Sequence, residues 1–70
     1  MNNDKFLYQL GSKIKAIRSE KNMTQQVLAK RCGFEKSSLS RIESGQINIT
    51  VLTLKKIGRS LKTPIVHFFK

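Results

Sequence analysis

Three features of the sequence predict an all-α fold. Apolar residues recur at helical spacing almost throughout, with no alternating run that reads as a strand. Residues that cap or stop helices stand between the periodic segments: Thr24 and Thr50 before them, Asn22, Gly33 and Gly45 after them. The seventy residues contain no repeat, low-complexity tract or dividing linker, so residues 1–70 form one domain.

The elements follow in order. Helix 1 is predicted from about Lys5 to Lys21, capped by Asp4 or Asn3. Leu7, Leu10, Ile14 and Ile17 form its buried stripe, and Asn22 ends it in a left-handed turn. Helix 2 runs from about Gln25 to Cys32 behind the N-cap Thr24, with Met23 and Leu28 as a hydrophobic staple. Leu28, Ala29 and Cys32 face inward, and the small Ala29 admits a close helix crossing. Gly33 is its stop. Helix 3 spans about Lys36 to Ser44, with Phe34 packed before it and Gly45 closing it. Helix 4 covers about Val51 to Leu61 behind Thr50, with Ile49 and Leu54 as the staple pair. Its stripe is Val51, Leu54, Ile57 and Leu61, and Gly58 lets a neighbour approach. A fifth, short helix is expected from Pro64 to about Phe69, because proline suits the first helical position. The expected architecture is a compact bundle of five helices.

Composition narrows the function classes. Fourteen Lys and Arg face four Asp and Glu, a formal charge of +10. Such an excess opposes compaction and favours a polyanionic partner, nucleic acid before an anionic membrane surface. A membrane-bound form would need one helix with a strongly exposed apolar face, whereas these stripes read as mutually buried. The single cysteine, Cys32, forms neither an internal disulfide nor a zinc site alone, which fits a reducing compartment. No stretch resembles a signal peptide or a membrane span, so a cytoplasmic protein is expected. Enzyme chemistry is starved: there is one His, no glycine-rich phosphate loop and no acid pair at helical spacing. His67, beside Phe68 and Phe69, reads as a surface or core-edge residue. No catalytic residue, metal, cofactor or small-molecule ligand is expected.

Helix 3 is the unusual element. At about 100° per residue, Leu39 and Ile42 mark its inward side, while Ser37, Ser40, Arg41 and Ser44 gather opposite and Lys36 sits at the N-terminal rim. Two aliphatic side chains are a thin anchor. Hydroxyls and cations without bulky apolar or acidic neighbours suit base edges and phosphates in a major groove, which admits one α-helix. Helix 2, the turn Gly33-Phe34-Glu35 and helix 3 together make a helix-turn-helix.

With "MTQQVLAKRCG", "LSRIESG" and "TLKKIGRSL" in order and spacing, the chain resembles the lambda-repressor/Cro-like helix-turn-helix family, also called XRE, over about residues 7 to 69. The "INITVLTLKKIGRSL…FF" end looks like the controller type found with restriction–modification systems. The resemblance implies a lambda-repressor-like bundle of five helices that binds operator DNA sequence-specifically, commonly as a dimer. The chain departs from the family at Glu35, where Ser, Thr or Asp usually caps helix 3, at Lys62, where Gly is common, and at Ile49, where Pro is common.

The resemblance also implies roles. Lys36, Ser37 and Arg41 match positions that meet base edges, and Ser40 is a further base contact. Arg41 is the foremost of these, because Arg on guanine is the commonest specific contact. Gln25 matches a residue that contacts a phosphate and braces helix 3. Thr24 and Ser38 are further phosphate contacts, and Gln46 and Asn48 match a phosphate-clamping loop. Glu43, about 40° from Leu39, lies near the buried edge and needs a cation. The family often pairs it with the position of Arg18. Lys55, Lys56, Arg59 and Lys62 read as a mostly solvated face. A symmetric dimer with half-sites about one helical turn apart is expected on a palindromic operator. Its surface is expected at Ile47, Ile49, Leu52 and Val66, with Phe69 at the edge, because these apolar residues are surplus to the core. An alternative reading is an antitoxin-like protein-interaction module that also binds DNA, which would be expected to carry a further tail after helix 5.

Overall fold

Caps fix where helices begin. The Thr24 hydroxyl oxygen accepts the Val27 N–H at 3.1 Å, and the Thr50 oxygen accepts the Thr53 N–H at 3.1 Å. Each satisfies a donor that a helix start leaves unpaired. The computed structural model describes residues 3–69, with side chains from Lys5 onward. It has four α-helices: α1 (Asn3–Glu20), α2 (Gln25–Cys32), α3 (Lys36–Glu43) and α4 (Val51–Ser60). Among the described residues there is no strand.

All four helices end alike. Asn22, Gly33, Gly45 and Lys62 each take a left-handed conformation, with φ of 57°, 77°, 76° and 53°. The next N–H then reaches back to an open carbonyl: Met23 to Arg18, Phe34 to Ala29, Gln46 to Arg41 and Thr63 to Gly58, at 2.8–3.1 Å. Lys62 adopts this conformation without the freedom of glycine, at a cost of about 1–2 kcal/mol.

The core draws on every helix: Leu10, Ile14 and Ile17 from α1, Leu28, Ala29 and Cys32 from α2, Leu39 and Ile42 from α3, and Leu54 and Ile57 from α4, with Leu61 just after. Met23, Phe34, Ile49 and Ile65 pack against it from the edges. The Cys32 thiol lies 3.4 Å from the Ser60 hydroxyl, joining the ends of α2 and α4.

Several expectations need correction. The fifth helix is not α-helical; residues Ile65–Phe69 form a 3₁₀ helix. The His67 N–H bonds to the Pro64 carbonyl three residues back. With three residues per turn, Ile65 and Phe68 lie on one side. Both turn inward, and Phe68 is buried. Val51 does not join the α4 stripe but is 69% exposed, because the first turn of α4 projects past the core. Leu7 is only half-buried. Ser44 is the C-cap of α3 rather than its last residue, and Glu35 makes no side-chain cap bond. Helix α1 begins two residues early, and the expected caps Asn3 and Asp4 have side chains outside the described residues.

Candidate nucleic-acid interface

Helix α3 has a thin apolar anchor and a strong polar one. Leu39 and Ile42 are buried, and the only other buried residue of the helix is Glu43. Its carboxylate is held from three directions. Arg18 Nε donates to Oε2 at 2.7 Å and Nη2 to Oε1 at 3.2 Å, a two-pronged pair. Gln25 Nε2 donates to Oε1 at 2.9 Å. The third Arg18 nitrogen, Nη1, donates to the Met23 carbonyl at 2.6 Å. One carboxylate therefore ties α3 to α1 and to the first residue of α2. Its side chain is 2% exposed, so the low-dielectric surroundings strengthen these bonds and make any missing partner costly.

Two glycines close the same junction. A Cβ on Gly11 of α1 would strike the backbone oxygens of Ile42 and Glu43, 2.6 Å from the latter. A Cβ on Gly45 would lie 2.6 Å from Tyr8 Cα, at a backbone angle that already favours glycine. The end of α3 thus rests backbone to backbone on α1. Gly11 was not among the expected contacts, although an isolated glycine beside the α1 stripe was the available signal.

The outer face of α3 is the complement of this anchor. Lys36, Ser37, Ser40 and Arg41 are exposed, and Ser38 is half-buried on the flank. None of their side chains has a hydrogen-bond or ion-pair partner among the described residues. Ser44 differs: its hydroxyl donates to the Ser40 carbonyl at 2.9 Å. Thr24 is exposed, with its oxygen engaged as the α2 cap. Gln25 is half-buried against Glu43. Gln46 is exposed just past α3, whereas Asn48 borders an apolar groove between α1 and α4. Among the described residues, no helix is long and apolar enough to cross a membrane, and no cluster of His, Cys, Asp and Glu could hold a metal ion.

The apolar residues assigned to assembly divide. Leu52 (72%), Val66 (54%), Phe69 (53%) and Ile47 (38%) are exposed, while Ile49 is half-buried against the core. Phe6, unanticipated here, stacks on Phe69 with ring centroids 6.2 Å apart. These two rings, with Ile49 and Val51, border the groove of about 350 Å³.

An α3 so held, with its polar face open, defines a helix-turn-helix protein. The chain belongs to the helix-turn-helix (XRE) family, whose profile matches residues 14–68. It is 38% identical over 52 residues to an uncharacterized HTH-type transcriptional regulator of Sinorhizobium fredii, covering 74% of this chain and 68% of that protein. It is 36% identical over 61 residues to the control protein C.BamHI of Bacillus amyloliquefaciens, covering 86% and 73%. The fold matches that of the restriction-modification controller protein C.AhdI of Aeromonas hydrophila with a TM-score of 0.94 over 99% of this chain and 100% of that one, at 23% identity.

Proposed function

We propose that this protein is a sequence-specific, operator-binding transcription regulator of the controller type, which places α3 in the major groove. The observation that carries this reading is the two-sidedness of α3. Its inner side is fixed by the Glu43 network and by glycine contacts, and its outer side presents Lys36, Ser37, Ser40 and Arg41 with no protein partner among the described residues. A helix backbone already held in place loses little freedom on binding, and only these side chains have still to be ordered. Arg41 reads a guanine, Lys36, Ser37 and Ser40 meet neighbouring base edges, and Thr24, Gln25, Ser38, Gln46 and Asn48 take phosphates. The relatives named as a control protein and a controller protein support the controller type.

One such module reads only a few base pairs, so a symmetric dimer on a palindromic operator completes the reading. Ile47, Leu52, Val66 and Phe69, with Phe6 and Val51, supply its apolar surface, and Ile49 supports it from beneath. A regulator of this kind works in the cytoplasm, where its DNA lies.

Selection of bound sequences from random duplex DNA, followed by footprinting, tests the reading. A palindromic consensus is expected. Arg41→Ala is expected to cost about 1–3 kcal/mol on that consensus and to relax preference at one base position. Equal loss on every sequence would make Arg41 a phosphate contact, and no enrichment of any sequence would refute the operator reading.

A further inference from the structure

Beside the outer face of α3 a crevice of about 240 Å³ opens between α1 and α3, lined by Tyr8, Ser12, Lys15, Gln25 and Ser40, with the buried Glu43 at its base. Tyr8, Ser12 and Lys15 stand at i, i+4 and i+7, one stripe of α1. This stripe borders Gly11, the residue that touches α3. Tyr8 is 61% exposed, and its backbone is held against Gly45 at the end of α3. Among the described residues, the side chains of Tyr8, Ser12, Lys15 and Ser40 have no hydrogen-bond or ion-pair partner.

The charge of the crevice is settled by the network beneath it. Glu43 would repel an anion, but Arg18 neutralises it and Gln25 occupies one of its oxygens. Lys15 then leaves the crevice with a surplus positive charge. Around it stand the Tyr8, Ser12 and Ser40 hydroxyls, free to donate, the Gln25 amide, with one N–H engaged by Glu43, and the Ser44 hydroxyl, already given to the Ser40 carbonyl. Position decides what such a site recognises. Ser37 and Arg41 lie about 160° from Leu39 around α3, whereas Ser40 lies about 100° from it. The outermost line of α3 enters the groove, and its flank meets the strand that borders the groove.

We infer that this crevice is a second DNA contact, seating a backbone phosphodiester beside the groove that α3 enters. The Lys15 ammonium takes the charge, and the Tyr8 and Ser12 hydroxyls donate to the same phosphate or its neighbour. The crevice has room for bridging water, at about 30 Å³ per molecule. The contact fixes register and adds affinity without reading sequence. It rests on the reading of α3 as the DNA-contacting helix.

The full chain is titrated with a mixed-sequence duplex through a salt series, as wild type and as Lys15→Ala, Tyr8→Phe and Lys56→Ala. Lys56 lies exposed on α4 and serves as the control for a cation outside the contact. Lys15→Ala is expected to lower the slope of log affinity against log salt by about one. Tyr8→Phe is expected to weaken binding severalfold with the slope unchanged, and Lys56→Ala to leave the slope unchanged. All three side chains are exposed, so the melting temperatures are expected to match wild type. A Lys15→Ala slope equal to that of Lys56→Ala, with wild type still binding, would overturn this inference alone. A wild-type chain that binds no duplex at any salt would overturn the proposed function and this inference together.

Discussion

The junction of α1 with α3 and the surface around α4 and the 3₁₀ helix are built on opposite terms. On the buried side of the junction no polar side-chain group is left open. Gly11 and Gly45 admit no Cβ, Arg18 and Glu43 meet in two parallel hydrogen bonds, and Gln25 adds a third. Among the described residues no buried side-chain polar atom lacks a partner. At the other end Val51 and Leu52 are about 70% exposed, and Phe6 and Phe69 stack on one another while each remains half in water. The buried side of the first region is satisfied within the chain, and the second region leaves large apolar side chains in water. Tight packing is concentrated around the end of a small helix, and apolar surface is left uncovered around α4 and the 3₁₀ helix, where the proposed dimer would cover it.

Breaking the junction carries the largest expected effect. Glu43→Ala leaves the Arg18 guanidinium buried without its partner and is expected to destabilise the fold by about 3–5 kcal/mol. Urea denaturation of both single variants and of the double variant with Arg18→Ala checks this. Additive losses would show that the pair is not coupled. Gly11→Ala comes next. Helix propensity alone favours alanine by about 1 kcal/mol. The obstacles here are backbone oxygens, which cannot rotate away, so overpacking of about 3 kcal/mol wins and the melting temperature falls.

The open surface responds differently. Leu52→Glu is expected to leave monomer stability within about 0.5 kcal/mol, because the side chain touches little within the chain. It is expected to weaken self-association about tenfold or more, since a carboxylate must then be buried at the interface. Analytical ultracentrifugation at micromolar concentration separates the two effects. A wild-type chain that stays monomeric there would remove the surface from consideration. The smallest effect lies in the turn between α4 and the 3₁₀ helix, away from the exposed apolar side chains. Lys62→Gly relieves the left-handed residue after α4 and is expected to stabilise the fold by about 1 kcal/mol in thermal melts.

Helix positions were readable in the sequence because their signals are local. Thr24, Thr50, Asn22, Gly33 and Gly45 cap or stop helices wherever they occur at such ends, and the observed boundaries fall close to them. Position 62 showed that a lysine can take a place where glycine is common. The 3₁₀ form of residues 65–69 was not readable, because α and 3₁₀ differ in hydrogen-bond register, which apolar spacing over five residues does not resolve. Val51 was misplaced for a related reason: a helical wheel gives direction but not whether anything lies there. In the candidate interface, the outward residues of α3 follow from its two inward aliphatics, and the structure leaves them exposed. The Tyr8, Ser12 and Lys15 stripe was hidden, because it becomes part of a site only when Gly11 and Gly45 bring α1 and α3 into backbone contact.

The three-way tie at Glu43 has a consequence in exchange kinetics. An eight-residue helix is marginal in water by itself, and α3 would fray if it depended on its own hydrogen bonds. Arg18 lies 25 residues from Glu43 in sequence, so their contact closes a loop that contains all of α2. Opening α3 locally would strand a buried charge, and the chain opens there only when α1 and α2 separate as well. The amides of this short helix would then exchange with solvent at the rate of the whole domain, while those of the 3₁₀ helix, held by bonds that reach back only three residues, exchange ahead of it.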